Sequence, residues 1–138
     1  MKSVPFDSLR KEKQMNVKPA FIYGAVTCVV YGIGLVFIPS TMLSWFDLNV
    51  TKEITLVAQI FGAALLGYAV IFWMLRGDTP SEARRNVILG EVVHSFIATI
   101  IWIMAIVAGI GNTLMYLPLF SHVSLVIWFG FLYFKGAK

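Results

Sequence analysis

The amino-acid sequence predicts an all-α, polytopic membrane protein, with four transmembrane helices in an antiparallel bundle and both termini in the cytoplasm. This prediction depends on composition, on four long apolar runs and on the sorting of basic residues. Hydrophobic residues make up 59% of the 138 residues and charged residues only 13%, whereas soluble domains carry about 25% charged residues. The composition therefore assigns the chain to the membrane proteins before any motif is considered.

Four apolar runs are each close to the length that crosses a bilayer. The predicted spans are residues 20–38, 54–75, 87–110 and 114–134. A helix needs about 20 residues to cross about 30 Å of hydrocarbon, and only helices and closed barrels satisfy their backbone hydrogen bonds there. No alternation typical of barrel strands is present. Residues 1–19 and 135–138 are predicted to be cytoplasmic tails.

The first apolar run is expected to be a retained helix and not a cleaved signal peptide. It is too long, and the segment "IPSTMLSWF" that follows it lacks a small-x-small cleavage site. The single cysteine, Cys28, has no partner for an internal disulfide and is interpreted as a small packing residue.

Basic residues are sorted to one side of the predicted membrane. Ten of the 11 lie in the two tails and in the loop between the second and third spans, and only Lys52 lies on the other side. The positive-inside rule then predicts cytoplasmic termini, in a bacterial or archaeal cytoplasmic membrane. The residues expected at the lipid headgroups are Lys18, Arg76, Arg84, Arg85 and Lys135. Topology and bound anionic lipid thus explain the net charge of +4, and no nucleic-acid partner is expected.

Several helix ends can be predicted from local signals. Thr51 is the expected N-cap of the second span. Thr79, Pro80 and Glu82 form a capping box with a proline at the first helical position, so the third helix is expected to start near Pro80. Pro118 either kinks the fourth helix or marks its start.

Small residues at a spacing of four predict helix-packing faces on the first two spans. The residues at this spacing are Gly24, Cys28 and Gly32 on the first span and Ala63 and Gly67 on the second, with Gly62 beside them. Small residues at this spacing let helix backbones approach closely in lipid. The favoured interpretation is that the first two spans pack on each other, and the alternative is a partner helix from another protein.

Four polar residues are predicted to be buried in the spans, and each is a site hypothesis because burying such groups in lipid is costly. They are Gln59, Glu91, His94 and His122. Glu91 is expected to pair with Arg76 or Arg84, or to be partly protonated, and the functional alternative is a proton-accepting carboxylate.

His94 and His122 lie on the third and fourth spans, which a short loop makes antiparallel neighbours, so their imidazoles could meet near the midplane. They could ligate a haem or chlorophyll-type pigment. Glu91 and His94 could belong to a metal site, because Glu-x-x-His is half of a carboxylate di-metal pattern. A proton relay is the third alternative. A second Glu-x-x-His, a Cys-x-x-Cys-His motif and further carboxylates are missing, so hydrogen bonds to neighbouring helices are the favoured interpretation.

The overall plan resembles small bacterial four-helix integral membrane proteins of unknown function. The resemblance is carried by "FIPSTMLSWFDL", "QIFGAALLGYAVIFWMLR" and "ARRNVILGEVVHSF", which cover the exit from the first helix and much of the next two. It implies a membrane location and a four-helix bundle, and it supplies no catalytic residue.

The sequence has no phosphate-binding loop, no His-Glu-x-x-His and no nucleophile elbow. The expected function is therefore that of a non-enzymatic accessory or scaffold subunit, which packs against a larger membrane complex or against copies of itself. One alternative is a haem, pigment or metal carrier through His94 and His122 with Glu91. The other is a small dimeric transporter with Glu91 as the coupling carboxylate.

Overall fold

All regular structure in the described part of the chain is helical. The computed structural model describes residues 16–77 and 81–135. The helices are α1 (Lys18–Phe37), α2 (Pro39–Trp45), α3 (Lys52–Leu75), α4 (Glu82–Val107) and α5 (Tyr116–Lys135), with a 3-10 turn at Thr113–Met115 before α5. Helices α1, α3, α4 and α5 are long and apolar enough to cross a membrane, which confirms the prediction of a helical protein with four helices able to span a bilayer.

The short helix α2 was not among the sequence predictions. Pro39 opens it, and a proline disfavours helical geometry in the residue before it. Ile38 accordingly leaves the helical region, with φ −133° and ψ 47°. The chain therefore ends α1, turns, and restarts as a helix at Pro39, where the missing N–H costs nothing.

The helix ends agree with some local signals and differ from others. The Thr51 side chain accepts a hydrogen bond from the Ile54 N–H, as an N-cap does. Helix α4 begins at Glu82 behind Ser81, whose side chain accepts from the Arg84 N–H; Thr79 and Pro80 lie outside the described residues. The N-cap of this helix is therefore two residues later than the sequence predicted.

The connection between α4 and α5 also differs from the prediction. Helix α4 ends at Val107, short of the expected Ile110, and Gly109 follows with φ +72°. A left-handed glycine is a common helix terminator. Pro118 lies in the first turn of α5, where proline is tolerated, so it marks the start of that helix.

Helices α1 and α3 form a closely packed antiparallel pair. A Cβ atom built on Gly24 would stand 2.9 Å from the Phe72 ring, and one on Gly62 would stand 2.9 Å from the Gly32 carbonyl oxygen. Since residue numbers rise along α1 while those of their contacts fall along α3, the helices are antiparallel. Glycine at these points is required by the close approach of the two backbones.

Two of the small residues predicted to pack do not lie in this contact. Ala63 and Gly67 are exposed on α3, and a Cβ built on Gly67 would meet nothing within 4 Å. Gly67 follows Gly62 by five residues, which turns it by about 140° around the helix. The face toward α1 therefore contains Gly62 and Ala69, and Gly67 lies on the outer face.

Helices α4 and α5 form the second antiparallel pair. Arg85 at the start of α4 lies over the ring of Tyr133 near the end of α5, and Trp102 further along α4 is beside His122. Residues 108–112 and the 3-10 turn join the two helices. The described structure thus consists of two helix pairs, α1 with α3 and α4 with α5.

The two pairs meet at one end through an aromatic cluster, which comprises Phe21, Phe72 and Phe129. The ring centroids are 5.8 Å apart for Phe21 and Phe72, 5.3 Å for Phe21 and Phe129, and 5.6 Å for Phe72 and Phe129. Ile88 of α4 belongs to the same buried core. We call this end, where α1 and α4 begin, the aromatic end.

At the opposite end, which we call the α2 end, the pairs meet through Asn112. Its side-chain amide donates to the Trp45 carbonyl at 2.8 Å, and its backbone N–H donates to the Phe46 carbonyl at 3.1 Å. Gly111, with φ +75°, allows this approach, since a Cβ there would lie 2.7 Å from the Phe46 oxygen. The α4–α5 connection is therefore tied to the C-terminus of α2.

Candidate ligand-binding cavity

The two helix pairs enclose a cavity between the aromatic end and the α2 end. Its volume is about 550 Å³, and all five helices contribute to its lining. Most of the lining is aliphatic or aromatic, with Leu35, Phe61, Leu65 and Ile97 among the contributing side chains. The cavity therefore offers a predominantly apolar environment.

The cavity opens sideways between α3 and α4. Its lining residues on these helices include side chains that are also exposed on the outside of the protein, such as Val57 (65% exposed) and Ile101 (59%). The lining residues of α5 are more enclosed, and Leu125 is buried. In the described part of the chain, extensive packing joins α1 to α3 and α4 to α5, but not α3 to α4. Since α1 and α5 contact each other, they form the back of the cavity, opposite the opening between α3 and α4.

Glu91 supplies a carboxylate to the cavity, close to the aromatic end. It lies one turn beyond Ile88 on α4 and is only 4% exposed. The Ser95 hydroxyl, four residues on and fully buried, donates a hydrogen bond to Glu91 Oε1. His94 Nδ1 is 3.7 Å from Glu91 Oε2, which is within ion-pair range but longer than a hydrogen bond. Residues three and four apart share a helix face, so α4 itself assembles this array.

The two histidines complete this polar end of the cavity. The His94 and His122 rings meet edge to face, with centroids 5.7 Å apart. The His94 ring is stacked on Tyr68 of α3 at 6.0 Å, and His122 lies 6.4 Å from the Trp102 ring. The sequence-based hypothesis that the imidazoles approach each other agrees with this arrangement. We call Glu91, His94, Ser95 and His122 the polar cluster.

The ring nitrogens of the two histidines differ in their hydrogen bonding. His122 Nδ1 is 2.7 Å from the Pro118 carbonyl oxygen. A carbonyl only accepts, so Nδ1 carries the proton and Nε2 has hydrogen-bonding capacity directed elsewhere. His94 Nδ1 is buried and has no hydrogen-bond partner among the described residues. The nearest acceptor to this nitrogen is Glu91 Oε2, at 3.7 Å.

The structure distributes the other predicted polar and basic residues differently. Gln59 is exposed, and its amide donates to the Val36 carbonyl of α1 at 3.1 Å. Arg84 is buried and donates to the Gly77 carbonyl. Arg76 stacks on the Trp73 ring and does not reach Glu91. The contacts observed for Glu91 are with Ser95 and His94, which were not its expected partners.

The remaining predicted positions lie at the aromatic end or in the cavity wall. Arg85 and Lys135 are exposed and lie over the rings of Tyr133 and Phe131. Lys18 is exposed at the start of α1. Cys28 is half-buried and contributes to the cavity lining.

Sequence reasoning missed several residues of the site. Ser95 could have been found, because it lies four residues after Glu91 on the same helix face. Tyr68 and Trp102 carried no such signal. Tyr68 is 26 residues before His94, and only the tertiary arrangement of the two helix pairs brings the two rings together.

The polar cluster does not fit the metal or haem sites considered from the sequence. Within residues 16–77 and 81–135, no group of three or more His, Cys, Asp or Glu is placed to hold a metal ion. The His94 and His122 rings already touch, and the helices that carry them pack against each other. A macrocycle between the two imidazoles would require α4 and α5 to separate.

Comparison with models of protein families, with curated proteins and with solved structures found no match for this chain. The fold itself defines the class, which is an all-helical protein with four helices able to cross a membrane. The features of this structure that bear on function are the cavity and its polar cluster.

Proposed function

We propose that this chain is a non-enzymatic integral membrane protein that binds a lipid-soluble small molecule in its cavity. The supporting observation is the apolar cavity of about 550 Å³ between the two helix pairs. Small-molecule sites are usually mostly apolar pockets of about 300–1,000 Å³ with a few polar groups that orient the ligand. The polar cluster has that composition and position.

An empty cavity of this size is unfavourable for the protein. Side chains around an unfilled void lose dispersion contacts, and protein interiors are normally packed as densely as organic crystals. An occupant restores those contacts. Because the opening between α3 and α4 faces the surrounding lipid in a membrane, a lipid-soluble molecule enters without crossing water. Bound lipid, which the sequence also led us to expect, is the simplest occupant.

We further propose the orientation that the basic residues predict, with both termini in the cytoplasm. The test uses single cysteines in a Cys28→Ala background, at Asn49 in the α2–α3 loop and at Lys135 at the end of α5, both of which are exposed. In intact bacterial cells, a membrane-impermeant maleimide is expected to label Asn49→Cys and to label Lys135→Cys only after permeabilisation. The reverse pattern would contradict this orientation.

Filling the cavity is expected to remove its ligand. Ala98 lines the cavity, and Ala98→Phe places a ring in that space. Protein purified in mild detergent is extracted with organic solvent, and the retained lipophilic molecules are quantified by mass spectrometry per mole of protein. Wild type is expected to retain close to one molecule per chain that the detergent blank lacks, and Ala98→Phe at least tenfold less.

The matched control for this substitution is Ala64→Phe. Ala64 is exposed on α3 and does not line the cavity, so its variant is expected to retain ligand as wild type does. Thermal unfolding of both variants checks that the fold is intact. Equal retention by wild type and Ala98→Phe would refute ligand binding in the cavity.

The accessory or scaffold role and the transporter with Glu91 as coupling carboxylate stay predictions from the sequence. A scaffold role is compatible with a bound lipophilic molecule. The size of the particle extracted in mild detergent tests the scaffold role. An accessory subunit is expected to co-purify with a larger complex, and a protein that runs as an isolated monomer would contradict that role.

A further inference from the structure

Given the proposed ligand-binding function, on which this inference rests, the geometry points to a particular class of ligand. We propose that the cavity binds a neutral planar ring that carries carbonyl or hydroxyl oxygens, of quinone or quinol type, with an apolar tail. The ring oxygen lies at the polar cluster, and the tail leaves through the opening between α3 and α4.

The two histidines of the polar cluster retain hydrogen-bonding capacity for a ligand. With its Nδ1 committed to the Pro118 carbonyl, His122 retains Nε2 for another partner. His94 turns its Nδ1 toward Glu91 Oε2, 3.7 Å away, which leaves its Nε2 for another partner in the same way. An imidazole nitrogen donates to a carbonyl oxygen when it is protonated and accepts from a hydroxyl when it is not. A ring oxygen that exists as carbonyl or hydroxyl matches both states.

The charge balance of the polar cluster favours a neutral ligand. Among the described residues that line the cavity, Glu91 is the only carboxylate, and none is Lys or Arg. Its two oxygens already face the Ser95 hydroxyl and the His94 ring. The other ionisable groups of the lining are His122, Cys28, Tyr31 and Tyr68. A cationic ligand would compete with His94 for Glu91, and an anionic ligand would be repelled by it, so a neutral head group fits best.

The walls of the cavity present flat aromatic surfaces to a ligand. Tyr68 and Trp102 place flat rings beside the two imidazoles, and Phe46 and Phe61 contribute further aromatic surface to the lining. Aromatic surfaces favour offset-stacked or edge-to-face contacts with another ring. A planar ring head makes such contacts, whereas a branched glycerol head group does not.

The experiment uses an azido-substituted decyl-benzoquinone as a photoreactive probe of the full-length protein in phosphatidylcholine vesicles. Labelled peptides are identified by mass spectrometry. Labelling is expected on the cavity-facing parts of α3, α4 and α5 and is expected to be displaced by excess decyl-benzoquinone. His94→Phe and His122→Phe are each expected to reduce it at least tenfold.

Two further variants separate hydrogen bonding from folding. His122→Gln keeps a polar side chain at this position and is expected to retain most of the labelling. Ser124 lies on the same helix but outside the cavity lining, and its hydroxyl is hydrogen-bonded to the Tyr23 hydroxyl. The Ser124→Ala variant is therefore expected to be labelled as strongly as wild type. Loss of labelling in Ser124→Ala to the same extent as in His122→Phe would overturn the inference.

Competitors distinguish the failure of this inference from failure of the proposed function. Displacement by decanol as effective as by decyl-benzoquinone, together with unchanged labelling of the histidine variants, would overturn the quinone assignment and leave a general lipophile site. If tetraphenylphosphonium displaces the probe more strongly than decyl-benzoquinone does, the quinone assignment is overturned in favour of a cationic ligand. The absence of any displaceable labelling on the cavity lining would refute both the inference and the proposed function.

Discussion

Phe129→Ala is expected to lower the free energy of unfolding by about 3 kcal/mol. Phe129 is fully buried, and its ring contacts both Phe21 of α1 and Phe72 of α3. Removing a buried phenylalanine side chain costs about 3–5 kcal/mol in water-soluble proteins. The lower end applies here because the unfolded reference lies in lipid or detergent, so lost packing dominates over lost hydrophobic transfer. Denaturant or thermal unfolding in mild detergent measures the change.

Phe134→Ala is the control for this substitution. It makes the same chemical change on the same helix, but Phe134 is 84% exposed, so its variant is expected to unfold as wild type does. Because the aromatic cluster joins the two helix pairs, Phe129→Ala is also expected to loosen the closed end of the cavity and to reduce ligand retention. Equal stability of the two variants would show that the cluster does not hold the pairs together.

Gly111→Val is expected to lower the free energy of unfolding by about 3 kcal/mol and to open the α2 end. Two effects add. A β-branched residue at φ +75° carries backbone strain of about 1–3 kcal/mol, and its Cβ would stand 2.7 Å from the Phe46 carbonyl oxygen. The clash pushes the α4–α5 connection away from α2 and breaks the two Asn112 hydrogen bonds. Hydrogen exchange of the peptide covering residues 45–48 is expected to accelerate.

Gly109→Val separates strain from clash. Gly109 has nearly the same φ, +72°, but a Cβ built there meets nothing within 4 Å. Its variant is expected to lose stability through backbone strain alone and to leave hydrogen exchange of residues 45–48 unchanged. If both variants accelerate that exchange equally, the close contact of Gly111 with Phe46 does not secure the α2 end.

The helices themselves were largely predictable because their causes are local. Long apolar runs specify helices in lipid, where the backbone must satisfy its own hydrogen bonds, and Thr51 caps α3 as its residue type indicates. The prediction failed where two local signals competed. At the start of α4, Thr79 and Ser81 are both good caps, and Ser81 caps the helix. The helix α2 was not predicted, although Pro39 is suited to begin a new helix.

The candidate site was predictable only in part. A carboxylate and an imidazole three residues apart in an apolar run marked Glu91 and His94, and their proximity follows from helix geometry alone. The small-residue pattern did not show which face of α3 meets α1, because Gly62 and Gly67 look equivalent in sequence. The expected pairing of Glu91 with arginine also differs from its observed contacts with Ser95 and His94.

The amino-acid sequence by itself determined the class of this protein and the four apolar helices that can cross a membrane. The class follows from composition, and each helix follows from its own apolar run, because a helix in lipid satisfies its backbone hydrogen bonds within that run. Only the tertiary structure decided that α1 pairs with α3, that α4 pairs with α5, and that a cavity separates the pairs. Helix pairing depends on complementary shapes formed by residues far apart in the chain, such as Gly32 with Gly62 and Phe21 with Phe129. No local pattern encodes the space that remains between them.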